Sequence, residues 1–447
     1  MPNQQNNKKS PGILAVVLLI LTLTVAFLQI NNFFTFPLLA IWIALAGAKM
    51  VANIPAVRAK YPLIPIRERL DSWGIQTEQR KKQNDVLRIF LTWNFGFHIV
   101  LYIYTLLLVV FQLTEARYLS SNIMTFINCL SAISILYLFR KQGVRVSIIA
   151  LCLAWIISLI RTFVAPAFDD FWKNLELHDM SFGAGYILLY YIFYHKRWDR
   201  SSSISCTILI LLVLLAFKRI GLAALALTII LWAVLRIVKE EKKQRKILFW
   251  GRIAAVVACY LFVWVLIQGY LIAFLEFLGI NPMGRNYYFA ALAKYCEFSP
   301  LFMGLGRNAS ATIFTTDLAF MRVGNVHSDI LRMYAECGFV LFGLWLAVFW
   351  FILPKVIDKK YGYRSMEFFV LCTVYTFIVY ATDNTEFYLI NQYFYMLMVM
   401  HVIQLGETAV PPFERRFMEF YNHLKRKISE YRHKQKAMKD TKESSAD

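Results

Sequence analysis

Residues 204–238 read ISCTILILLVLLAFKRIGLAALALTIILWAVLRIV. Two apolar windows, 204–217 and 220–238, meet at a single cationic pair, Lys218-Arg219. Neither window has the amphipathic period of a helix on the surface of a soluble protein, so both read as helices whose solvent is lipid. Outward from them, windows of the same kind occupy 11–30, 33–52, 89–111, 121–139, 146–164 and 182–194 on one side, and 248–271, 330–353, 366–381 and 388–405 on the other. The chain is therefore expected to be an all-α polytopic membrane protein with about twelve transmembrane helices. Composition agrees: hydrophobic residues make up 59% of the chain and charged ones 17%, a balance foreign to an ordinary water-soluble domain.

The first window follows Lys8 and Lys9, as a signal peptide would, but exceeds a normal apolar core and lacks a small-residue cleavage site, so it reads as a retained anchor. With both termini in the cytoplasm, most Lys and Arg residues fall on the inner side, among them Arg67, Arg69, Lys81, Lys82, Arg140, Lys141, Lys359 and Lys360. The net charge of +20 is then mainly a topology signal, and nucleic acid is not an expected partner. The organisation expected is a single transmembrane domain over 1–405, with a large outer loop at 279–328, and a basic cytoplasmic tail over 406–447.

A loop that long in a compact protein is functional or disordered. Residues 286–298, NYYFAALAKYCEF, read as a short aromatic helix ended by Ser299-Pro300, with Gly304 and Gly306 beyond, folding over an outward-facing cavity. The inner segment 53–88 and the tail combine cations with spaced apolar residues, in the tail Phe417, Phe420, Leu424, Ile428 and Tyr431. That spacing suits an interfacial helix on anionic lipid, with a cytoplasmic protein partner as the alternative; residues 441–447 are expected to be disordered. The cysteines show no metal-ligand spacing and read as small apolar residues; Cys296 and Cys337 fall on the outer side, where a disulfide is permitted but not required.

A small set of cations opposes the inside-positive bias: Lys218, Arg219, Arg285, Lys294, Arg307, Arg322 and Arg332. Lys218 and Arg219 open a helix, where the dipole disfavours cations, and a phosphate or diphosphate ligand would offset that cost. For Lys294 and Arg307 the plainer reading, headgroup snorkelling, is preferred, and for Arg285 the two readings balance. His327 stands where the long loop enters a helix, whose N-terminal dipole keeps an imidazole neutral and able to accept a proton. The plainer reading makes it a helix-start residue bonded to nearby backbone. Asp329, Arg332 and Glu336 have the spacing of an intrahelical ion-pair ladder, the preferred reading for Arg332 and Glu336. Gly304-Leu305-Gly306 follows no strand and is not a dinucleotide site, Asn308-Ala309-Ser310 is a glycosylation sequon by pattern only, and Asp169-Asp170 reads as a solvated acidic pair. Asp383 and Glu386 form a second outer acidic cluster with a weak case for substrate contact.

Taken together these features resemble the bacterial O-antigen polymerase and O-antigen ligase superfamily. Three pieces carry the resemblance: Lys218-Arg219, Gly284-Arg285, and His327-Ser328-Asp329 with Glu336-Cys337-Gly338. Ser328 departs from the Asn common at that position. The resemblance implies a C-type glycosyltransferase-like (GT-C) helical fold in the cytoplasmic membrane of a bacterium. It also implies a polyprenyl-diphosphate-linked oligosaccharide as donor and acceptor, and inverting transfer with no metal or other cofactor. His327 would be the catalytic base, Lys218, Arg219 and Arg285 would bind the diphosphate, and Asp329, Arg322 and Glu336 would support them. Membrane lipid, a chain-length regulator and a flippase are the further partners implied. The expected function is polymerisation of O-antigen, capsular or exopolysaccharide repeat units; ligase-type transfer of a finished glycan is the nearest alternative. A flippase or other transporter is the alternative from another class, disfavoured because the polar residues gather in one loop and not at the midplane of several spans.

Overall fold

The computed structural model describes residues 13–28, 32–52, 77–119, 123–139, 143–164, 178–195, 199–216, 218–238, 240–277, 285–319, 326–386, 388–405 and 412–444. All secondary structure among them is helical. In chain order the helices are α1 (Ile13–Phe27), α2 (Asn32–Ala52), α3 (Thr77–Phe90), α4 (Gly96–Val110), α5 (Ile123–Phe139), α6 (Gly143–Val164), α7 (His178–Phe193), α8 (Arg200–Leu215) and α9 (Arg219–Ile237). They continue as α10 (Glu241–Ile267), α11 (Tyr270–Phe277), α12 (Arg285–Ala293), α13 (Ala309–Thr315), α14 (Asp329–Ala347), α15 (Leu353–Tyr361), α16 (Tyr363–Thr382), α17 (Leu389–Leu405) and α18 (Pro412–Ser444). Single π-helical turns, Leu91–Phe95 and Val348–Ile352, join α3 to α4 and α14 to α15.

Every apolar window expected from the sequence falls on a helix. Asn84–Val110, Gly143–Ile160, Arg219–Ile237, Glu241–Ile267, Asp329–Tyr361 and Tyr363–Thr382 are long and apolar enough to cross a membrane, and shorter apolar helices occupy the other windows. The chain is thus an α-helical, multi-pass membrane protein.

The bundle is built around α17. This helix touches α1, α3, α5, α7 and α16, and Tyr393, Phe394, Met396, Leu397 and Met398 are fully buried. A helix mostly apolar and buried on every side belongs at the centre of its bundle. Peripheral helices instead expose apolar side chains: Ile103, Leu106 and Leu107 on α4, Leu211 and Leu214 on α8, Val257 and Leu261 on α10. Those faces suit lipid. Inside, polar groups meet one another, as where Asn94 Nδ2 donates to Gln392 Oε1 at 2.7 Å and Tyr186 and Thr376 share a hydrogen bond of 2.6 Å.

Helix ends differ from the hydropathy windows for identifiable reasons. α10 starts at Glu241, ahead of its window, because hydropathy marks where lipid begins and not where helical hydrogen bonding begins. Arg245, in that added stretch, pairs with Glu241 at 2.7 Å and with Asp358 on α15 at 2.5 Å. The tail, expected to lose order at 441, remains helical through Ser444, in keeping with its Lys, Gln, Met and Ala content. The inner segment expected on the lipid surface becomes, from Thr77, the helix α3, whose Val86, Leu87, Ile89 and Phe90 are buried and which packs on α5 and α17. Residues 53–76 lie outside the described residues.

Candidate active site

Three helices, α9 from Arg219, α12 from Arg285 and α14 from Asp329, bring their starts together through contacts of Lys218, Tyr288 and Asp329 with Asp383 and His327. Lys218 occupies the N-cap position of α9 with extended backbone and no side-chain cap. At α14 the cap is Ser328, whose Oγ accepts from the Leu331 N–H at 3.3 Å. Ser and Asn both cap well, so the departure from the resembled family's usual Asn preserves that local role. Capping by Ser328 also removes the plainer reading of His327. His327 precedes the cap in a left-handed conformation (φ 53°), half-buried, its ring centroid 6.1 Å from that of Tyr288 on α12. Its imidazole makes no hydrogen bond among the described residues.

Asp383 joins these elements. Lys218 Nζ lies 2.7 Å from Asp383 Oδ2, and the Asp383 carbonyl accepts the Asp329 N–H at 3.1 Å. Burial would raise the Asp383 pKa, but Lys218 and the Asn384 N–H hold it below the usual carboxylate range, so it stays ionised. Burial lowers the His327 pKa from its ordinary value; Asp383 opposes the shift, and Arg285 and Lys218 add to it. The imidazole is accordingly neutral near pH 7. Arg219 is exposed, Arg285 half-buried, and neither has a carboxylate partner among the described residues. The patch therefore gathers cations around one carboxylate and one neutral imidazole.

A second, buried charge cluster lies against this patch. Asp329 Oδ1 accepts from Arg332 Nε at 3.0 Å and Nη2 at 2.8 Å, while its Oδ2 accepts the Glu386 N–H at 2.7 Å. Both oxygens are thus committed, and Asp329 holds the 383–386 turn instead of touching His327. Arg332 also pairs with Glu386 and, at 3.5 Å, with Glu336. Arg307 reaches Glu336 at 3.1 Å and Glu386 at 3.2 Å. Glu386 Oε1 lies 3.2 Å from His98 Nε2 on α4, without hydrogen-bond alignment. Burial works to raise the Glu386 pKa, but Arg307, Arg332 and His98 hold it below the usual carboxylate range.

The ladder expected for Asp329, Arg332 and Glu336 is present, though Glu336 makes its shorter contacts with Arg307 and with Ser310 Oγ at 2.5 Å. Arg307 itself requires a correction. It was expected at the headgroups, yet it is 3% exposed. Its backbone N–H is held by Thr105 Oγ1 at 2.7 Å, which turns the side chain inward. Lys294 is exposed, and Arg322, Asp169, Asp170 and Gly284 lie outside the described residues.

The stretch just before Arg307 is fixed by an interlock between the loop and α14. Gly338 breaks the helix (φ 72°, ψ 179°), freeing carbonyls that the loop then uses. Leu305 N–H donates to the Ala335 carbonyl at 2.8 Å and Gly306 N–H to the Glu336 carbonyl at 3.0 Å, while Phe339 N–H donates to the Phe302 carbonyl at 2.9 Å. A Cβ at Gly304 would collide with Gly338 N, and one at Gly338 with Met303 C and Phe302 O, so only glycines fit face to face. Tyr104 Oη and Thr114 Oγ1 fasten the same stretch by donating to the carbonyls of Met303 and Leu305. The aromatic helix expected over 286–298 is correspondingly short, ending at Ala293, because the chain beyond it runs to this docking. Cys296 and Cys337 are both free thiols. Asn308, in the sequon, is buried.

Sequence reasoning missed His98 and the true role of Arg307, and it read Glu386 as an outer acidic residue with a weak case for substrate contact, whereas Glu386 is buried between Arg307 and Arg332. His98 did carry a signal, being an ionisable residue within an apolar window. Neither a protein-family model nor a curated protein matches the chain.

Proposed function

We propose that this protein is a membrane glycosyltransferase that joins polyprenyl-diphosphate-linked oligosaccharide repeat units into O-antigen, capsular polysaccharide or exopolysaccharide. It would do so at the outer face of the cytoplasmic membrane, with about twelve spans in a GT-C-like arrangement and both termini inside. The observation that carries the reading is the meeting of His327, Lys218 and Arg285, from three separate segments, in one patch where cations outnumber carboxylates. Such a surplus invites a polyanion, and a neutral imidazole beside it supplies a base.

In the proposed reaction Arg285 and Arg219 hold the donor diphosphate, with Lys218 adding a point charge. An acceptor hydroxyl gives its proton to His327 as its oxygen bonds to the donor's anomeric carbon from the face opposite the leaving group. The bond from that carbon to the diphosphate oxygen breaks, its electron pair leaves with the carrier lipid diphosphate, and the configuration inverts. Ionised Asp383 stabilises the imidazolium that results.

The test is the size distribution of lipid-linked and surface glycan in a strain lacking the gene, complemented with wild type, His327→Ala or Arg285→Ala. Single repeat units that accumulate in the deletion strain, with polymer restored by wild type and by neither variant, are expected. Long chains stranded on the carrier would instead indicate a ligase, and repeat units trapped on the inner face a flippase. Normal polymer from both variants would remove the mechanism.

A further inference from the structure

The tail helix α18 has one apolar face in two environments. Phe413, Phe417, Phe420, Leu424, Ile428 and Tyr431 follow one another at intervals of three or four residues and so share a face. The first two are covered by the bundle: the rings of Phe413 and Phe417 pack on Trp232 of α9 with centroids 5.6 and 5.3 Å away. Between them Glu414 is buried and pairs with Arg364 at 3.1 Å and Arg236 at 3.5 Å, and both arginines also reach Glu367. The start of α18 is thereby clamped to the last turn of α9 and the first turn of α16.

Beyond the clamp the same face is largely exposed. Phe420, Leu424, Ile428 and Tyr431 are between 44% and 65% exposed. Two features of the molecule say what covers them. The clamp marks a membrane boundary: Leu227, Ile230 and Val234 of α9 expose apolar side chains up to the turn that holds Arg236, and the basic stretch opening α10 follows. A helix leaving that turn starts at headgroup level. The helix is also strongly basic, with ten Lys and Arg residues against five Asp and Glu, and Lys425, Arg426 and Lys427 are exposed beside the apolar stripe. Such a charge repels a second copy of the same helix and attracts an anionic lipid surface.

We infer that residues 418–432 lie on the anionic leaflet next to their clamp. Phe420, Leu424, Ile428 and Tyr431 enter the acyl boundary there, and the cations rest among lipid phosphates. This inference is independent of the glycosyl-transfer reading.

The test is backbone hydrogen exchange of the full-length protein in lipid nanodiscs, one set of phosphatidylcholine alone and one containing about a third phosphatidylglycerol. Exchange over 418–432 is expected to slow several-fold in the anionic discs and to recover at high salt, with the clamp at 412–417 unchanged. Lys425→Gln/Arg426→Gln/Lys427→Gln, all at exposed positions, should abolish the difference between the two disc types, and Phe420→Ser/Leu424→Ser/Ile428→Ser should do the same. Equal exchange of the wild-type segment in both disc types would overturn the inference. Protection found only in discs holding two copies would overturn it in favour of self-association.

Discussion

Arg332 and Lys218 are both cations at the end of an apolar helix, but Arg332 is fully buried among three carboxylates whereas Lys218 faces one. Around Arg332 the charges are shared out: Asp329, Glu336 and Glu386 on one side, Arg307 on the other, and His98 beside Glu386. Around Lys218 the cations are in surplus, since Arg219 and Arg285 have no carboxylate among the described residues. A closed cluster has already met its electrostatic requirement and serves architecture. An open one keeps its cations in surplus, and on the proposed reading that surplus would recognise an anionic substrate.

The largest effect should come from Arg332→Met. It leaves Asp329, Glu336 and Glu386 buried with one cation between them, and breaking a buried pair in this way costs about 3–5 kcal/mol. The expected outcome is a large fall in the melting temperature of the detergent-purified protein, or loss of folded protein altogether. A variant as stable as wild type but unable to make polymer would break the comparison by moving Arg332 into the chemistry.

His327→Ala should behave in the opposite manner. Removing a general base costs about 10²–10⁴-fold in rate, and the half-buried imidazole holds no hydrogen bond among the described residues whose loss would unfold the protein. Glycan length should collapse while the melting temperature stays put. Arg285→Ala is next: on the proposed mechanism it removes one donor to the diphosphate and should cost about 10²–10³-fold. Arg285→Lys should restore only part of it, since an ammonium supplies charge but not the planar fork that grips two oxygens. Full recovery by Lys would show that charge alone matters there.

The two clusters were unequally legible in the sequence. The open one could be read because its residues are misfits: a cationic pair between two apolar windows, and a His at a helix start, each conspicuous against lipid-facing neighbours. The closed one was legible only within α14, where Asp329, Arg332 and Glu336 share a helix face. Arg307 meets Glu336 across 29 residues and Glu386 across 79, and no periodicity encodes contacts between segments so far apart. The glycine interlock was half visible. Gly304, Gly306 and Gly338 each stood out, but their meeting is made by backbone N–H and carbonyl groups that every residue possesses, so the letters name the participants without naming the pairing. In α18 the apolar spacing was plain, and what it could not reveal was that the face divides at Phe420 between the bundle and the surroundings.

The smallest effect, and the sharpest for the open cluster, is on pH. With the His327 pKa below its ordinary value of about 6.5, the base form dominates above that pH, and polymerisation should fall only as acid protonates the imidazole. The acid limb of the rate profile should therefore lie below the ordinary histidine range. Lys218→Met removes a cation that disfavours the imidazolium and also releases Asp383 to favour it, so both changes move the limb to higher pH. Asp383→Asn removes the opposing carboxylate and moves it lower. The rate at each pH in membranes carrying these variants, compared as the position of the limb and not its height, separates a shifted base from a weakened diphosphate site. A limb that ignores both substitutions would mean that the titrating group is not His327, and the open cluster would then be an anion site without its base.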